Sequence, residues 1–308
     1  MPLYTLHNQK LSPIKEVNIG LEKNIQTIIE QNLSEVFGLE FVATELTIGG
    51  LRFDTLAFDP DSNSFVIIEY KKDRSFSVVD QGFAYLSLML NNKADFILEY
   101  NERTKHQLTR DQIDYSQSKV IFVANSFTQH QKIAINFRDL PIELWEYALY
   151  DNQTLHLQML EASRSAESIN TISNDPTVAS VTKEVKTYQV SDHFHEGWDN
   201  SKALYEELSE AIIALDPRIT EKAVKNYIGY YVGNTKFCNI KVSKSKIALD
   251  VTRFRPEDLN DPEHRLRYVE GSKEHWNVYV SKIEINSVKD IPYTVMIAKE
   301  VFNKTFEK

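Results

Sequence analysis

Apolar and polar positions along this chain switch between two periods, and each switch marks an element. From Ile19 to Phe37 the apolar residues Leu21, Ile25, Ile28, Ile29, Leu33 and Val36 recur at helical spacing, which predicts an amphipathic helix. Phe41 to Leu46 predicts a first strand. Leu51 to Phe58 and Ser64 to Lys71 predict two more, and Phe65 to Ile68 is an unbroken apolar run of the kind found in a sheet buried on both faces. Asp59-Pro60-Asp61-Ser62-Asn63-Ser64 between them is a dense turn signal, so the two strands should pair as a hairpin. Ser77 to Leu90 returns to helical spacing. Lys119 to Asn125 predicts a fourth strand, and Ile142 to Tyr150 with Thr154 to Leu160 predicts a closing hairpin around Asp151-Asn152-Gln153.

After residue 160 the pattern fades. Glu161 to Thr187 is rich in Ser, Thr, Asn, Glu and Lys, with few large apolar residues, and reads as an exposed linker over 161–190. A second domain, 191–308, begins near Tyr188 or Ser191. Ser201 to Leu215 predicts a helix with Leu204, Leu208, Ala211, Ile212 and Leu215 on one face, stopped by Asp216-Pro217. Thr220 is expected to cap a short helix through Ala223 and Val224. Tyr227 to Val232, Phe237 to Val242, Ile247 to Phe254 and His275 to Ile285 predict strands, and Val288 to Phe306 a last helix. The expected fold class is α/β for 1–160, a mixed sheet flanked by helices, followed by a separate α+β domain.

Three charged residues break the buried strand pattern: Asp54 on one strand, and Glu69 and Lys71 on the next. Side chains alternate faces along a strand, so Glu69 and Lys71 share a face while Tyr70 takes the other. The hairpin would bring Asp54 beside them. Two carboxylates suit a hard divalent cation such as Mg²⁺ or Mn²⁺, which takes oxygen ligands, and the Tyr70 carbonyl offers a third oxygen. Lys71 would orient or deprotonate a water, or stabilise charge on a phosphate. The alternative is an ion-pair ladder across the hairpin with no chemistry.

This arrangement resembles the PD-(D/E)xK nuclease superfamily, whose core runs helix, three strands, helix, strand. Asp54 and Glu69-Tyr70-Lys71 fall on the second and third strands. Gln81-Gly82-Phe83-Ala84-Tyr85 on the following helix is similar to the Gln-x-x-x-Tyr signature of the RecB-like branch. The resemblance covers roughly the first half of the chain. The proline-aspartate pair that names the family is missing, since Asp54 follows Phe53, and Asp59-Pro60-Asp61 is turn material. The resemblance implies a Mg²⁺-dependent endonuclease hydrolysing DNA, with Asp54, Glu69 and Lys71 catalytic and Asp54 and Glu69 holding the metal. Glu22, in the first turn of the first helix, is where the family often adds a metal ligand, although the helix dipole alone also favours an acid there. Gln81 and Tyr85, with the basic Lys72 and Arg74, would meet the substrate or support the site. Restriction, phage defence or repair are the settings implied, and members that cut both strands often pair as homodimers. The second functional class is a nuclease scaffold without catalysis that binds nucleic acid or a protein.

The C-terminal half is similar to an uncharacterised bacterial family, some members of which carry the label "predicted transport protein". Tyr227 to Tyr231, Phe237-Cys238-Asn239-Ile240, Arg253-Phe254 and Trp276-Asn277-Val278 carry that likeness. This half is a candidate recognition or assembly module with a protein partner. Tyr227, Tyr230, Tyr231, Phe237, Trp276 and nearby arginines would suit base stacking if they lie on a surface, or a sheet core if they do not.

Composition bounds these readings. The 308 residues allow one large or two ordinary domains. No apolar stretch approaches a membrane span, and the N-terminus lacks the pattern of a signal peptide. Cys238 is the only cysteine, which excludes internal disulfides and cysteine-based zinc sites and points to a reducing cytoplasm. There is no phosphate-binding Gly-rich Lys-Ser/Thr loop. The net charge of −9 is adverse for DNA affinity, which comes largely from neutralising phosphates, so a local basic rim, metal or a partner is expected to supply it.

Overall fold

Asp59 folds the chain back on itself. Its carboxylate accepts hydrogen bonds from the Asp61 and Ser62 amides, at 2.9 and 3.3 Å, and Asn63 takes the left-handed conformation (φ 51°) that lets the next strand return. Strands β5 (Leu51–Asp59) and β6 (Ser64–Lys71) therefore pair antiparallel, Thr55 opposite Ile68 and Phe58 opposite Phe65. The structure is a computed structural model that describes residues 3–18, 20, 22–71, 77–137, 139–163, 166–169, 175–273 and 278–307.

Two units make up the chain, Met1–Thr187 and Tyr188–Lys308. In the first, β1 (Leu3–His7) and β2 (Lys10–Ile14) form a hairpin of their own. The remaining strands, β3 (Glu16–Val17), β4 (Glu40–Ile48), β7 (Lys119–Ala124), β8 (Ile142–Tyr150) and β9 (Leu155–Met159), join β5 and β6 in one seven-stranded sheet of order β3-β8-β7-β6-β5-β4, with β9 also on β8. β6, β7 and β8 run parallel and the other pairs antiparallel, so the sheet is mixed. The apolar run of β6 lies at its centre, covered on both faces.

Helix α1 (Glu22–Gln31) puts Ile25 and Ile29 against Val66, Ile68 and Tyr70 on one face, joined by Leu33 of α2 (Leu33–Phe37). The single helix expected from Ile19 to Phe37 is two, broken at Asn32. On the other face lie α3 (Val78–Asn91) and α4 (Lys93–Arg103), with α5 (Gln129–Ala134) near the end of β7. Ser77 caps α3 by accepting from the Asp80 amide.

Within the stretch 161–190, the described residues do not form an exposed linker. The stretch contains α6 (Pro176–Glu184), capped by Asp175, and buries Ile169, Val181 and Val185 in the core beside α3. A few well-placed apolar residues suffice to dock it, although its average composition is polar.

In the second unit, α7 (Asp199–Ile213) precedes β10 (Ile219–Val224), β11 (Tyr227–Val232), β12 (Thr235–Val242) and β13 (Ile247–Thr252). β14 (Arg267–Tyr268), β15 (Val280–Ile285) and α8 (Ile291–Phe306) complete it. The sheet is antiparallel in the order β10-β11-β12-β13-β15-β14, and α7 and α8 contribute Leu204, Leu208, Ile297 and Val301 to its core. The short helix expected after Thr220 is instead the edge strand β10, whose alternate residues Ile219 and Ala223 join that core. Tyr230, Tyr231 and Phe237 are buried and Cys238 is fully enclosed, so these aromatics do not form a stacking surface; Trp276 lies outside the described residues. Among the described residues, no helix is long and apolar enough to cross a membrane.

Candidate active site

The β5–β6 ladder stops at Thr55 and Ile68. One step further, side chains take over its hydrogen bonds. The Tyr70 amide donates to Asp54 Oδ2 at 2.9 Å, and the Asp54 amide donates to Glu69 Oε2 at a longer 3.4 Å. The two carboxylates occupy the fork where the strands part. Period-two alternation places Glu69 on the α3 face with Phe65 and Ile67, and Lys71 beside it. Lys71 Nζ lies 2.9 Å from Glu69 Oε1, with both side chains largely buried.

Helix α3 completes the hold on Glu69, which is only 7% exposed. Gln81 and Tyr85, one turn apart, both face the sheet. Gln81 Nε2 donates to Glu69 Oε1 at 3.0 Å and to the Tyr85 hydroxyl at 2.8 Å. Tyr85 Oη lies 2.9 Å from the Arg52 carbonyl and 3.1 Å from Glu69 Oε2, so its one proton serves either acceptor. Burial first, and then the Glu69 carboxylate, push the Tyr85 phenol above its ordinary range, which keeps it a donor. Gly82 lets α3 approach this closely: a Cβ there would lie 2.5 Å from Ile142 Cδ1.

Asp54 carries the electrostatic strain of the cluster. Burial, and next the neighbouring Glu69 carboxylate, push its pKa up to about 6; the Tyr70 amide and Lys71 pull the other way, and Glu22 adds to the rise. Glu22 thus acts on Asp54 from the first turn of α1. Among the described residues, no three His, Cys, Asp or Glu side chains converge as a ready-made metal cage. The site offers a pair of carboxylates, both oxygen donors, with an acid nearby. Such a donor set fits a hard divalent cation that keeps several of its waters. Lys72 and Arg74 lie outside the described residues.

The sequence reading missed the support behind Asp54. Gln26 is 6% exposed, and its Nε2 is shared among the Asp54 carbonyl (3.1 Å), Thr44 Oγ1 (3.1 Å) and Glu30 Oε1 (3.0 Å). Glu30 also accepts from the buried Thr55 hydroxyl at 2.6 Å. Glu22, Gln26 and Glu30 stand four apart, a polar stripe that runs from the sheet core to the carboxylate pair. The signal was present as that spacing, but a polar helical stripe ordinarily marks a solvated face.

Fold and site define an α/β unit with a carboxylate pair and lysine at the parting of two central strands, followed by an antiparallel α+β unit. Residues 190–300 match a family described as a domain of unknown function, DUF5655, a description that assigns no transport role. An "Uncharacterized protein" of Haemophilus influenzae is 40% identical over 301 residues, spanning 97% of this chain and 99% of the relative. The chain belongs to the family of that Haemophilus influenzae protein. Among solved structures, the one titled "Structure of EndoMS-dsDNA2 complex" is similar at 20% identity and a TM-score of 0.28, over 39% of this chain and 42% of that one. Pyrococcus furiosus SfsA in complex with Ca²⁺ is similar at 13% identity and a TM-score of 0.24, over 53% of this chain and 77% of that one. At these scores neither alignment bears on fold or activity.

Proposed function

We propose that the first unit is a metal-dependent nuclease that hydrolyses DNA phosphodiester bonds. The observation that carries this reading is the Asp54–Glu69 pair, held half-buried at the strand fork with Lys71 alongside. Two carboxylates repel where water is scarce, and burial first, then the neighbouring Glu69 carboxylate, hold the Asp54 pKa above its ordinary range. A divalent cation relieves that repulsion. An ion-pair ladder would place each acid against a base, whereas here Asp54 faces another acid.

Asp54 and Glu69 are the residues that would hold Mg²⁺ or Mn²⁺, and Glu22 adds negative charge to the surroundings of Asp54. Such an ion, when bound, polarises a phosphodiester and lowers the pKa of water. Gln81 and Tyr85 fix the Glu69 carboxylate, and Gln26 fixes the Asp54 backbone, so the pair is preorganised. Lys71 positions the attacking water and meets charge on the phosphate. This is the nuclease-like fold and chemistry implied by the likeness to the PD-(D/E)xK superfamily.

The test is cleavage of supercoiled, linear duplex and single-stranded DNA with Mg²⁺ or Mn²⁺ by the wild type and by Glu69→Ala. Cleavage by the wild type alone is the expected result. Absence of cleavage by both, with no metal-induced rise in Tm, overturns the proposal. That outcome favours a second reading, a non-enzymatic scaffold for nucleic acid or a protein, for which the net charge of −9 is the supporting observation.

A further inference from the structure

One register row crosses three strands at the candidate site. Thr44 pairs with Thr55 and Leu46 with Phe53, so Glu45 of the edge strand β4 stands opposite Asp54. Carried one step past Thr55 and Ile68, the same row reaches Glu69. Residues two apart on a strand ordinarily share a face. Along this row they do not. Thr44 meets Gln26 of α1 whereas Leu46 lies in the core with α3, and Thr55 meets Glu30 of α1 whereas Phe53 packs on Tyr85 of α3. Glu45 takes the left-handed conformation (φ 49°) at this break in the pleat. Residues other than glycine rarely adopt it, and such strain clusters at functional sites.

Glu45 is bound to two cations. Its Oε1 lies 3.3 Å from Lys23 Nζ, and its Oε2 accepts from the Arg52 guanidinium. Lys23 follows Glu22 in the first turn of α1, and Arg52 lies two residues before Asp54. Both cations are open to solvent, their side chains 72% and 60% exposed. An exposed ion pair adds little to stability, so these contacts are poorly explained as a device for folding. One acid holding two bases leaves net positive charge at the edge of the sheet, and Arg52 has N–H groups beyond the one it gives Glu45. With strands roughly 5 Å apart, Glu45 stands roughly 10 Å from Glu69 across the row.

We propose that Lys23 and Arg52, tethered by Glu45, form a phosphate-binding rim that holds the DNA strand beside the bond to be cut. The proposal rests on the nuclease reading of Asp54 and Glu69. Asp54, Glu69 and Lys71 account for the scissile phosphate alone. Its neighbours need cations of their own, because DNA affinity comes largely from neutralised phosphates and this chain has a net charge of −9. Arg52 suits two phosphate oxygens through its planar fork, and Lys23 meets one as a point charge. These two residues bind substrate. Glu45 is a positioning residue, which acts only by fixing where the two cations stand.

Lys23→Gln combined with Arg52→Gln in the full-length chain tests it. Both side chains are exposed, and the Arg52 carbonyl that Tyr85 meets is kept, so Tm should match that of the wild type. Binding of fluorescein-labelled duplex and single-stranded oligonucleotides is read by anisotropy on an Asp54→Asn background, where cutting is not expected. Cleavage is read separately with Asp54 intact and Mg²⁺ present. The double substitution should weaken binding about tenfold. The slope of affinity against salt should become shallower by about one for each cation removed. KM should rise with kcat nearly unchanged. Glu45→Gln should lower kcat/KM even though it removes a negative charge, and a rise would overturn the tether. The rim is overturned if DNA does not bind, or if affinity, salt slope and KM are all unaltered by the double substitution; cleavage by the wild type would still uphold the nuclease reading. Binding that the double substitution weakens, with no cleavage by the wild type, upholds the rim and overturns the nuclease reading.

Discussion

The Glu69 carboxylate accepts a hydrogen bond from the Asp54 backbone amide, in the place where β6 would otherwise continue to pair with β5. That exchange opens the sheet at its most buried strand and sets two acids together. Its consequence for stability has a definite sign. Folded Asp54 takes up its proton at about 6, above its ordinary 3.8. Its contribution to stability is therefore fully present below about pH 4 and is lost as pH rises through about 6. Thermal melts in EDTA across this range should show that loss, and Asp54→Asn should flatten it and raise Tm at neutral pH. Added Mg²⁺ or Mn²⁺ should raise Tm of the wild type above pH 6 but not of the variant. A pH profile identical in both proteins would contradict this account.

Tyr85→Phe keeps the ring packed edge-on against Phe53 and removes only the hydroxyl. The Arg52 carbonyl, Glu69 and Gln81 Nε2 each lose a partner, at an expected cost of about 1–2 kcal/mol in urea unfolding. Cleavage should fall as Glu69 loosens. An unchanged unfolding midpoint would show that the hydroxyl holds nothing.

Gln26→Leu fills nearly the same space but releases the Asp54 carbonyl, Thr44 and Glu30. Unpaired buried groups there should cost about 1–3 kcal/mol. Because Gln26 touches Asp54 only through the backbone, its loss should also weaken the metal-induced Tm shift. Destabilisation without any change in metal response would confine Gln26 to a structural role.

Gly82→Ala drives a methyl into Ile142 and should cost about 1–3 kcal/mol by overpacking. Ile142→Ala opens the space, so the double variant should recover part of that loss. If the two effects simply add, α3 is not held off the sheet by this contact.

How much of this could be read beforehand depended on whether period and packing agreed. β5, β6 and α3 were legible because alternation and helical spacing were unbroken, and the turn residues from Asp59 onward specify the hairpin that juxtaposes Asp54 and Glu69. Elsewhere local signals competed. Thr220 offers a helix cap, yet Ile219 and Ala223 alternate into the core and pairing with β11 decides the element. Asn32 ends α1 within an apolar pattern that runs on. Gln26 was hidden because spacing cannot distinguish a stripe facing solvent from one facing a buried acid. A polar row across the second unit's sheet, from Lys222 to Arg267, was illegible for another reason: its members are scattered over six strands, and only register brings them together.

The return of residues 176–184 over α3 changes where this molecule can be divided. A fragment ending at residue 160 would bare the apolar bed that Val181 and Val185 occupy, on the very helix that carries Gln81 and Tyr85. Dissection at Thr187 keeps that bed covered. The segment is thus a strap belonging to the first unit, and the helix that grips Glu69 depends on chain that lies a hundred residues further along.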